Sequence, residues 1–499
     1  MKIFKNKKEN GMIIIQTIVF SSVAVIIIGA LSSWAGNTIK SGRVAFNREQ
    51  ALQSAEAGIE YYRWHLAHAP SDYQDGTGGA GPYIHSLKDK MGNTVGQFSL
   101  TITPPSSGST LVKIKSSGTS SLDSSFSRKI LSQVAKPSIA ENAFVGNDAM
   151  RFGEGTEIFG SIHSNGGIRF DGYTHNVVSS GFRIYDDADH FGLAEIGVHT
   201  HVRVPPATGV NDGVTSETNA NSIPNRTDVF AAGRRIEQPT IDFSGFTGDI
   251  ANLKTASQSS GGFYRDISDS GFDTSFVGYH IVLKTDDTFD LYKINSWVSM
   301  SDNGCITLSP NNSSWSIDTQ TLQGNYAFPA NGIIFLEDHV VVDGQIDNAR
   351  LTIVAASLPE PSDASQYKNI IINNDLLYTN YNGTDSLGLV GQGGVMVGMI
   401  SEDNLKIDGA LMAQRNKVGR FYYGNGFGNK KNCVYKNRNI VTLYGMIASY
   451  ARYGFTFTNG TGYTTRNINY DGNLLYAPPP LFPLTSDQYK ILSWQEVRN

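Results

Sequence analysis

Only two cysteines, Cys305 and Cys433, occur in 499 residues. Two thiols cannot build a disulfide scaffold or a four-cysteine zinc site. They could form one bridge outside the cytosol, but their separation along the chain says nothing of the Cα distance a bridge requires. Proline is scarce, at 17 residues, which excludes a collagen-like or Pro-rich linker protein. Charged residues make up 17% of the chain, below the usual quarter. Net charge is −5, and no long basic block follows the N-terminus. Binding held by phosphate neutralisation is therefore disfavoured, and no nucleic acid partner is expected. Gly-x-Ser-x-Gly, His-Glu-x-x-His, Walker-type and CxxC motifs are all missing. What is present is glycine (52 residues), 40% hydrophobic residues and 11% aromatics. Such a chain can bury a sizeable core and is not globally disordered. Abundant Gly, Ser, Thr and Asn with few charges fits a secreted, β-rich protein.

The N-terminus carries the most specific signal. Lys2, Lys5, Lys7 and Lys8 make residues 1–11 basic, and Met12 to Leu31 contains no charge. Twenty helical residues reach about 30 Å, the thickness of a bilayer's apolar core. The lysines predict a cytoplasmic N-terminus, a single pass of the inner (cytoplasmic) membrane, and the bulk outside. A cleaved secretory signal and a plain signal anchor are alternatives. The first usually has only about 7–15 apolar residues before a small-x-small site. A basic leader ending in Gly11, directly before an apolar helix, resembles the class III (prepilin-type) signal of type IV pilins and pseudopilins. That resemblance implies cleavage of the Gly11–Met12 bond by a prepilin peptidase, with Met12 becoming the methylated mature N-terminus. The family's fifth mature residue, a glutamate used in assembly, is Gln16 here. Gln hydrogen-bonds but carries no charge, a departure that suits a minor pilin better than a major one.

The helix is expected to continue past the membrane, since no proline occurs before Pro70. Leu52, Ala55, Ile59, Tyr62 and Leu66 recur at spacings of 3, 4, 3 and 4, one apolar helical face. Residues Ala51-Leu52-Gln53-Ser54-Ala55-Glu56-Ala57-Gly58 resemble the AxxAAEAG/A stretch of PilX-type minor pilins, with Ser54 replacing one alanine. Gly29, Gly36 and Gly42 are candidate bending points.

The expected fold is α+β overall. A long transmembrane and amphipathic helix carries a small antiparallel-sheet, pilin-like head. A mainly-β region follows, read as a right-handed β-helix (solenoid) with insertions, with a β-sandwich as the alternative. The predicted boundaries are a leader at 1–11, the helix at 12–70 (membrane part 12–31) and the head at 71–138. A first solenoid segment spans 139–205, an insertion 206–330 and the main solenoid 331–499. In the head, Phe98, Leu100 and Ile102 alternate, as do Val112 and Ile114. Phe126, Ile130 and Val134 sit at even spacing. In the β-region an apolar-x-Gly-x-apolar pattern recurs around Gly160, Gly344, Gly409 and Gly445, with a looser copy at Gly172. It suggests strand, bend and strand, as in stacked coils. One short helix is expected near Asp249–Gln258 and a turn at Thr285–Thr288. The stretches 160–172, 330–346, 405–414 and 478–494 resemble, as a set, long bacterial proteins that carry a PilX-type N-terminus and a β-helical passenger. The resemblance implies a pilus-associated surface protein and adds no catalytic residue.

Candidate chemistry is sparse. His163, His175, His190, His199 and His201 lie close in sequence, with Asp186, Asp187 and Asp189 nearby. His199 and His201 at i, i+2 would share one strand face, a spacing that can hold a metal, but no third ligand is set by spacing. The cluster is expected to be polar loop surface. A calcium loop starting at Asp187 fails, because Phe191 and Val198 fall on its ligand positions. Asp343 and Asp408 precede equivalent glycines and could align with Asp347 as lyase or hydrolase carboxylates. The stronger reading is structural, since Asp-Gly is a common turn pair. Tyr422, Tyr423 and Phe427, near Lys430 and Lys431, could serve adhesion or cover solenoid ends. No catalytic, cofactor or metal residue is assigned. The expected partners are other pilins, the prepilin peptidase and the inner membrane. The expected role is that of a non-enzymatic minor pilin or pseudopilin in, or at the tip of, a type IV pilus-like cell-surface filament. The alternative is a membrane-anchored β-helical protein that binds or acts on carbohydrate.

Overall fold

The structure is a computed structural model that describes residues 10–105, 109–189, 192–211, 217–266, 277–307, 313–426, 432–457 and 459–497. Most of the leader, residues 1–9, lies outside the described residues. The chain divides into two compact units: Met1–Pro104 with Val112–Val134 and Ile491–Asn499, and Pro105–Leu111 with Ala135–Lys490. A long N-terminal helix followed by a large β-rich region is an α+β protein, as expected.

In the first unit, helix α1 (Asn10–His68) runs for 59 residues. That is roughly 88 Å at 1.5 Å per residue. It passes through Gly29, Gly36 and Gly42 without interruption, and a Cβ at any of the three would meet nothing within 4 Å. From Met12 to Arg43 every residue is exposed. Beyond that, Asn47, Ala51, Ser54, Ala55, Gly58, Ile59, Tyr62 and Leu66 form one buried face, with Leu52 half-buried at its edge.

That face lies on an antiparallel sheet of β1 (Tyr83–Lys88), β2 (Thr94–Thr103), β3 (Val112–Ser120) and β4 (Ser127–Ala135), paired in that order. Of the expected alternations, Phe98, Leu100, Val112, Ile114, Ile130 and Val134 form the buried face of β2 to β4, whereas Ile102 is half-buried and Phe126 lies just before β4. The packing is unusually close because both sides are small. A Cβ on Gly118 would stand 2.2 Å from the Ala51 carbonyl oxygen and 2.3 Å from the Ala55 nitrogen. One on Gly96 would stand 2.1 Å from Ser54 Oγ. Ser120 donates to Gln50 Oε1 at 2.6 Å, so the polar groups under the helix have partners too. The Ala-Ser-Ala-Gly stretch is thus the part of α1 that a sheet backbone can touch.

Two features of this head differ from expectation. Strand β1 falls in a segment to which no strand was assigned. The C-terminal strand Lys490–Val497, expected in the solenoid, is the fifth strand of this sheet, beside β4. Arg128 of β4 holds Glu496 of that strand in a bidentate ion pair.

Among the described residues, three long parallel ladders run through the second unit, with shorter parallel pairings such as Met150–Phe152 beside Ile168–Phe170. The first ladder contains Phe263–Arg265, Ile333–Leu336, Arg350–Ala355 and Ser386–Gly391 in order. It continues through Ala410–Ala413 and Met446–Ser449. Phe144–Gly146, Ile162–Ser164, Val178–Ser180 and Arg234–Arg235 complete it. The second ladder takes Gly278–Leu283, Val340–Val341, Ile370–Ile371, Val395–Val397 and Val418–Arg420. The third takes Gly344–Ile346, Leu376–Tyr378, Ile407, Leu443 and the strand Gly462–Tyr470.

The recurring glycines are the corners. Strand Asn404–Ala413 pairs with Leu376 before Gly409 and with Gly388–Gly391 after it. Gly409 and Gly445 are register partners with φ of +154° and +156°. Such a φ costs glycine little, unlike other residues. The inward residues, such as Val342, Ile353, Leu389, Ile407, Leu443, Ile447 and Phe144, form one continuous core. Each contributes roughly 1.5–3 kcal/mol when fully buried.

The segment 206–330, expected as an insertion, contains strands that pair into these ladders. Arg234–Arg235, Phe263–Arg265 and Gly278–Leu283 are ladder rungs. The remainder includes a helix, α2 (Phe246–Ser257), and a hairpin of Thr288–Trp297 with Ile317–Ala327. The segment Leu283–Thr288 turns where expected, with Asp287 at φ +60°.

Candidate functional site

The sequence points to two places: the exposed half of α1 and the histidine-rich segment after residue 160. In α1, Gly11, Met12 and Gln16 all lie within the helix, and Met12 is 68% exposed. The helix is long and apolar enough to cross a membrane, and its most apolar window is bare. Ile13, Ile14, Ile15, Ile18, Phe20 and Trp34 are among its exposed large side chains.

The histidines do not behave as loop surface. His163, His199 and His201 are buried, which corrects the expectation for these three. His175 is half-buried against Glu157, and His190 lies outside the described residues, as do Phe191, Phe427, Lys430 and Lys431. Short strands bring a specific group together. Ile184–Tyr185 pairs antiparallel with Glu195–Ile196, and Val198–His199 runs parallel to Ile168–Phe170. The alternation of Glu195, Ile196, Gly197, Val198 and His199 then faces both Glu195 and His199 to one side.

The result is a buried group of Asp187, Glu195, His199 and His201, with one ligand-type atom of each within 4.8 Å of the others. His199 Nε2 stands 2.9 Å, and His201 Nε2 3.0 Å, from the same atom, Glu195 Oε2. Asp187 Oδ2 is 3.6 Å from His199 Nε2. Neither ring nitrogen of His199 is aimed at an acceptor with hydrogen-bond geometry, and Asp187 Oδ2 likewise has no hydrogen-bond donor. His201 Nδ1 faces the Asn211 carbonyl at 3.1 Å. Around the group, Arg169 donates to Asp171 at 2.7 Å, and Asp171 accepts the His201 N–H at 2.8 Å. Burial pushes the Asp187 carboxyl up, but His199, the Asp189 N–H and Arg169 outweigh it and hold it down at about 2. Burial lowers His199, but Asp187 and Glu195 outweigh it and raise it above the ordinary imidazole value. Of these residues, sequence reasoning missed Glu195, Arg169 and Asp171. Asp186 and Asp189 lie outside the group, and Asp189 pairs with Arg452 at 2.7 Å.

Cys305 and Cys433 are disulfide-bonded, with Cα atoms 4.6 Å apart. Strand Cys305–Thr307 pairs with Tyr423–Asn425 and brings the two segments together. The three candidate aspartates each have partners of their own. Asp343 is bound by His280 and Asn374, Asp408 by the Tyr378 N–H and Tyr381 hydroxyl, and Asp347 by Asn348 and Asn380. Tyr423 is fully buried and donates to the Ser314 carbonyl, so it is core rather than adhesive surface. A cavity of about 790 Å³ opens beside α2, lined by Glu141, His163, Arg235, Asp249 and Lys490 among others. Burial raises the carboxyls of both Glu141 and Asp249 there.

No protein-family model and no curated protein matches the sequence. Among solved structures, the competence-associated pilin ComZ from Thermus thermophilus aligns over 90% of this chain and 98% of its own, at 13% identity and a TM-score of 0.28. That score falls short of a shared overall fold.

Proposed function

We propose that this chain is a structural, pilin-like surface protein of the minor pilin or pseudopilin kind, and not an enzyme. The observation that carries the reading is the division of α1. Residues 12–43 are bare, whereas one face from Asn47 onward is packed on the sheet. About thirty exposed, largely apolar residues are untenable in water. They require a bilayer before assembly and neighbouring helices afterwards. In this reading a prepilin peptidase cuts at Gly11–Met12, and Gln16 occupies the fifth position of the mature helix. The β-rich body is a right-handed solenoid of stacked coils, the usual hand for parallel crossovers. It is displayed outside the cytoplasm, which the Cys305–Cys433 bridge supports. A body of this size suits a tip or sparse decoration. The test is fractionation of sheared filaments from cells producing the full chain. The chain is expected with the filament pilins and absent when Gly11 is replaced by Val. A chain that stays in the membrane while filament pilins shear off overturns the reading.

The second reading, carbohydrate binding, is favoured by the cavity with two raised carboxyls, Glu141 and Asp249. Binding on a glycan array that Asp249→Asn abolishes would support it, and an array without signal would remove it.

A further inference from the structure

The group at Asp187, Glu195, His199 and His201 has no part in the filament reading. We propose that it is a structural site for one divalent first-row transition metal, with these four residues as ligands. Three observations carry this. The first is spacing. Metal–ligand bonds of about 2.0–2.2 Å place neighbouring donors roughly 3–3.5 Å apart on a coordination shell. The observed separations are 2.9, 3.0 and 3.6 Å, with all four donors inside 4.8 Å.

The second is donor chemistry. A backbone carbonyl only accepts, so His201 Nδ1 must donate to Asn211. In the neutral ring Nε2 is then a lone pair, and it faces a carboxylate oxygen at 3.0 Å. That contact needs a proton or a metal cation between the two atoms, and a cation serves all four donors at once. An imidazole Nδ1–H on a carbonyl is also the usual outer partner of a histidine that binds metal through Nε2. His199 adds a fully buried ring that lies beside carboxylate oxygens of Glu195 and Asp187 without hydrogen-bond geometry to either, and Asp187 Oδ2 likewise accepts no hydrogen bond.

The third is charge. Arg169 is matched by Asp171. Asp187 and Glu195 bring two buried carboxylates against two imidazoles, a donor set that a divalent cation complements. Two imidazoles with two carboxylates suit zinc and its neighbours better than calcium or magnesium. All four side chains are at most 7% exposed, which marks a closed, structural site rather than a catalytic one with an open position. The ligands come from Asp187, just after the strand Ile184–Tyr185, and from the stretch 195–201, so the metal would pin these two segments together.

The experiment uses the tag-free full chain in detergent, stripped with chelator and dialysed against zinc, then cobalt(II). The expected result is one zinc per chain by mass spectrometry, a raised unfolding midpoint, and visible cobalt absorption at the same stoichiometry. Glu195→Gln removes a direct ligand and should weaken binding by more than the roughly 10–100-fold that losing an outer partner costs, and His199→Ala with His201→Ala should abolish it. A folded wild-type chain that binds no zinc and shows no midpoint shift overturns the proposal. So does zinc that persists in the folded double variant. If that variant does not fold, the wild-type dialysis and midpoint decide alone.

Discussion

The docking of α1 on its sheet makes a sharp prediction at Gly118. A Cβ there would stand 2.2 Å from the Ala51 carbonyl oxygen, 2.3 Å from the Ala55 nitrogen and 2.8 Å from the Ser54 carbonyl carbon. Carbon contacts are optimal near 3.5–4.0 Å, so helix and sheet would have to part by about 1 Å. The obstructing atoms are all backbone, so no rotamer change relieves them. Overpacking usually costs about 1–3 kcal/mol, and a rigid contact on both sides puts Gly118→Ala at the upper end, about 3 kcal/mol. That corresponds to a fall in midpoint on the order of 10 °C for a unit of this size. Gly58→Ala should cost less, about 1 kcal/mol, because its Cβ would meet the movable side chains of Ser116, Phe98 and Leu100. Gly42→Ala meets nothing within 4 Å and should leave the head unchanged. Hydrogen exchange of peptides from residues 94–135, measured on the full chain in detergent, isolates the head from the rest of the chain. Protection should drop for Gly118→Ala, and Ala51→Gly with Ala55→Gly should not restore it. Wild-type protection in Gly118→Ala would refute the close helix–sheet contact.

Other outcomes follow from the second unit. Replacing Cys305 and Cys433 with serine opens a link across 128 residues. Loop-closure entropy sets the loss at about 5 kcal/mol, readable from urea midpoints with and without reductant. Gly445→Ala places a Cβ 1.8 Å from the Gly409 carbonyl at φ +156°. It should leave most of the protein insoluble on expression, while Gly472→Ala, with open space, should not. Burial raises the carboxyls of Asp408 and Asp471 above their ordinary value. The folded state therefore holds these protons more tightly than the unfolded one, and their contribution to stability grows as pH falls from neutral through the folded pKa. Asp408→Asn removes its share, so the variant's advantage over wild type should be greatest at neutral pH and shrink towards about pH 4. Urea midpoints across that range check it.

Local patterns in the chain were readable, and distant pairings were not. The period of Ala55, Ile59, Tyr62 and Leu66 marked the docked face of α1, and the small residues from Ala51 to Gly58 marked the point of closest approach. The apolar-x-Gly-x-apolar copies marked ladder corners, because a positive φ leaves a glycine in the sequence. Ladder order left no such mark: Ile447 pairs with Phe144, and the strand Lys490–Val497 returns to β4. A strand of mixed polarity such as KILSWQEV reads alike at a sheet edge or in a coil. The His199-x-His201 spacing was visible, but Glu195 is one carboxylate among many until the chain turns between Tyr185 and Glu195. Burial separates this group from loop surface, and burial depends on the whole fold.

The proposed entry of α1 into a filament requires processing first. The direct measurement is the mature N-terminus, by mass spectrometry of protein from native membranes and sheared filaments. The account predicts N-methylated Met12. Retention of Met1 through Gly11 in surface-exposed protein, or cleavage beyond residue 30, would contradict it.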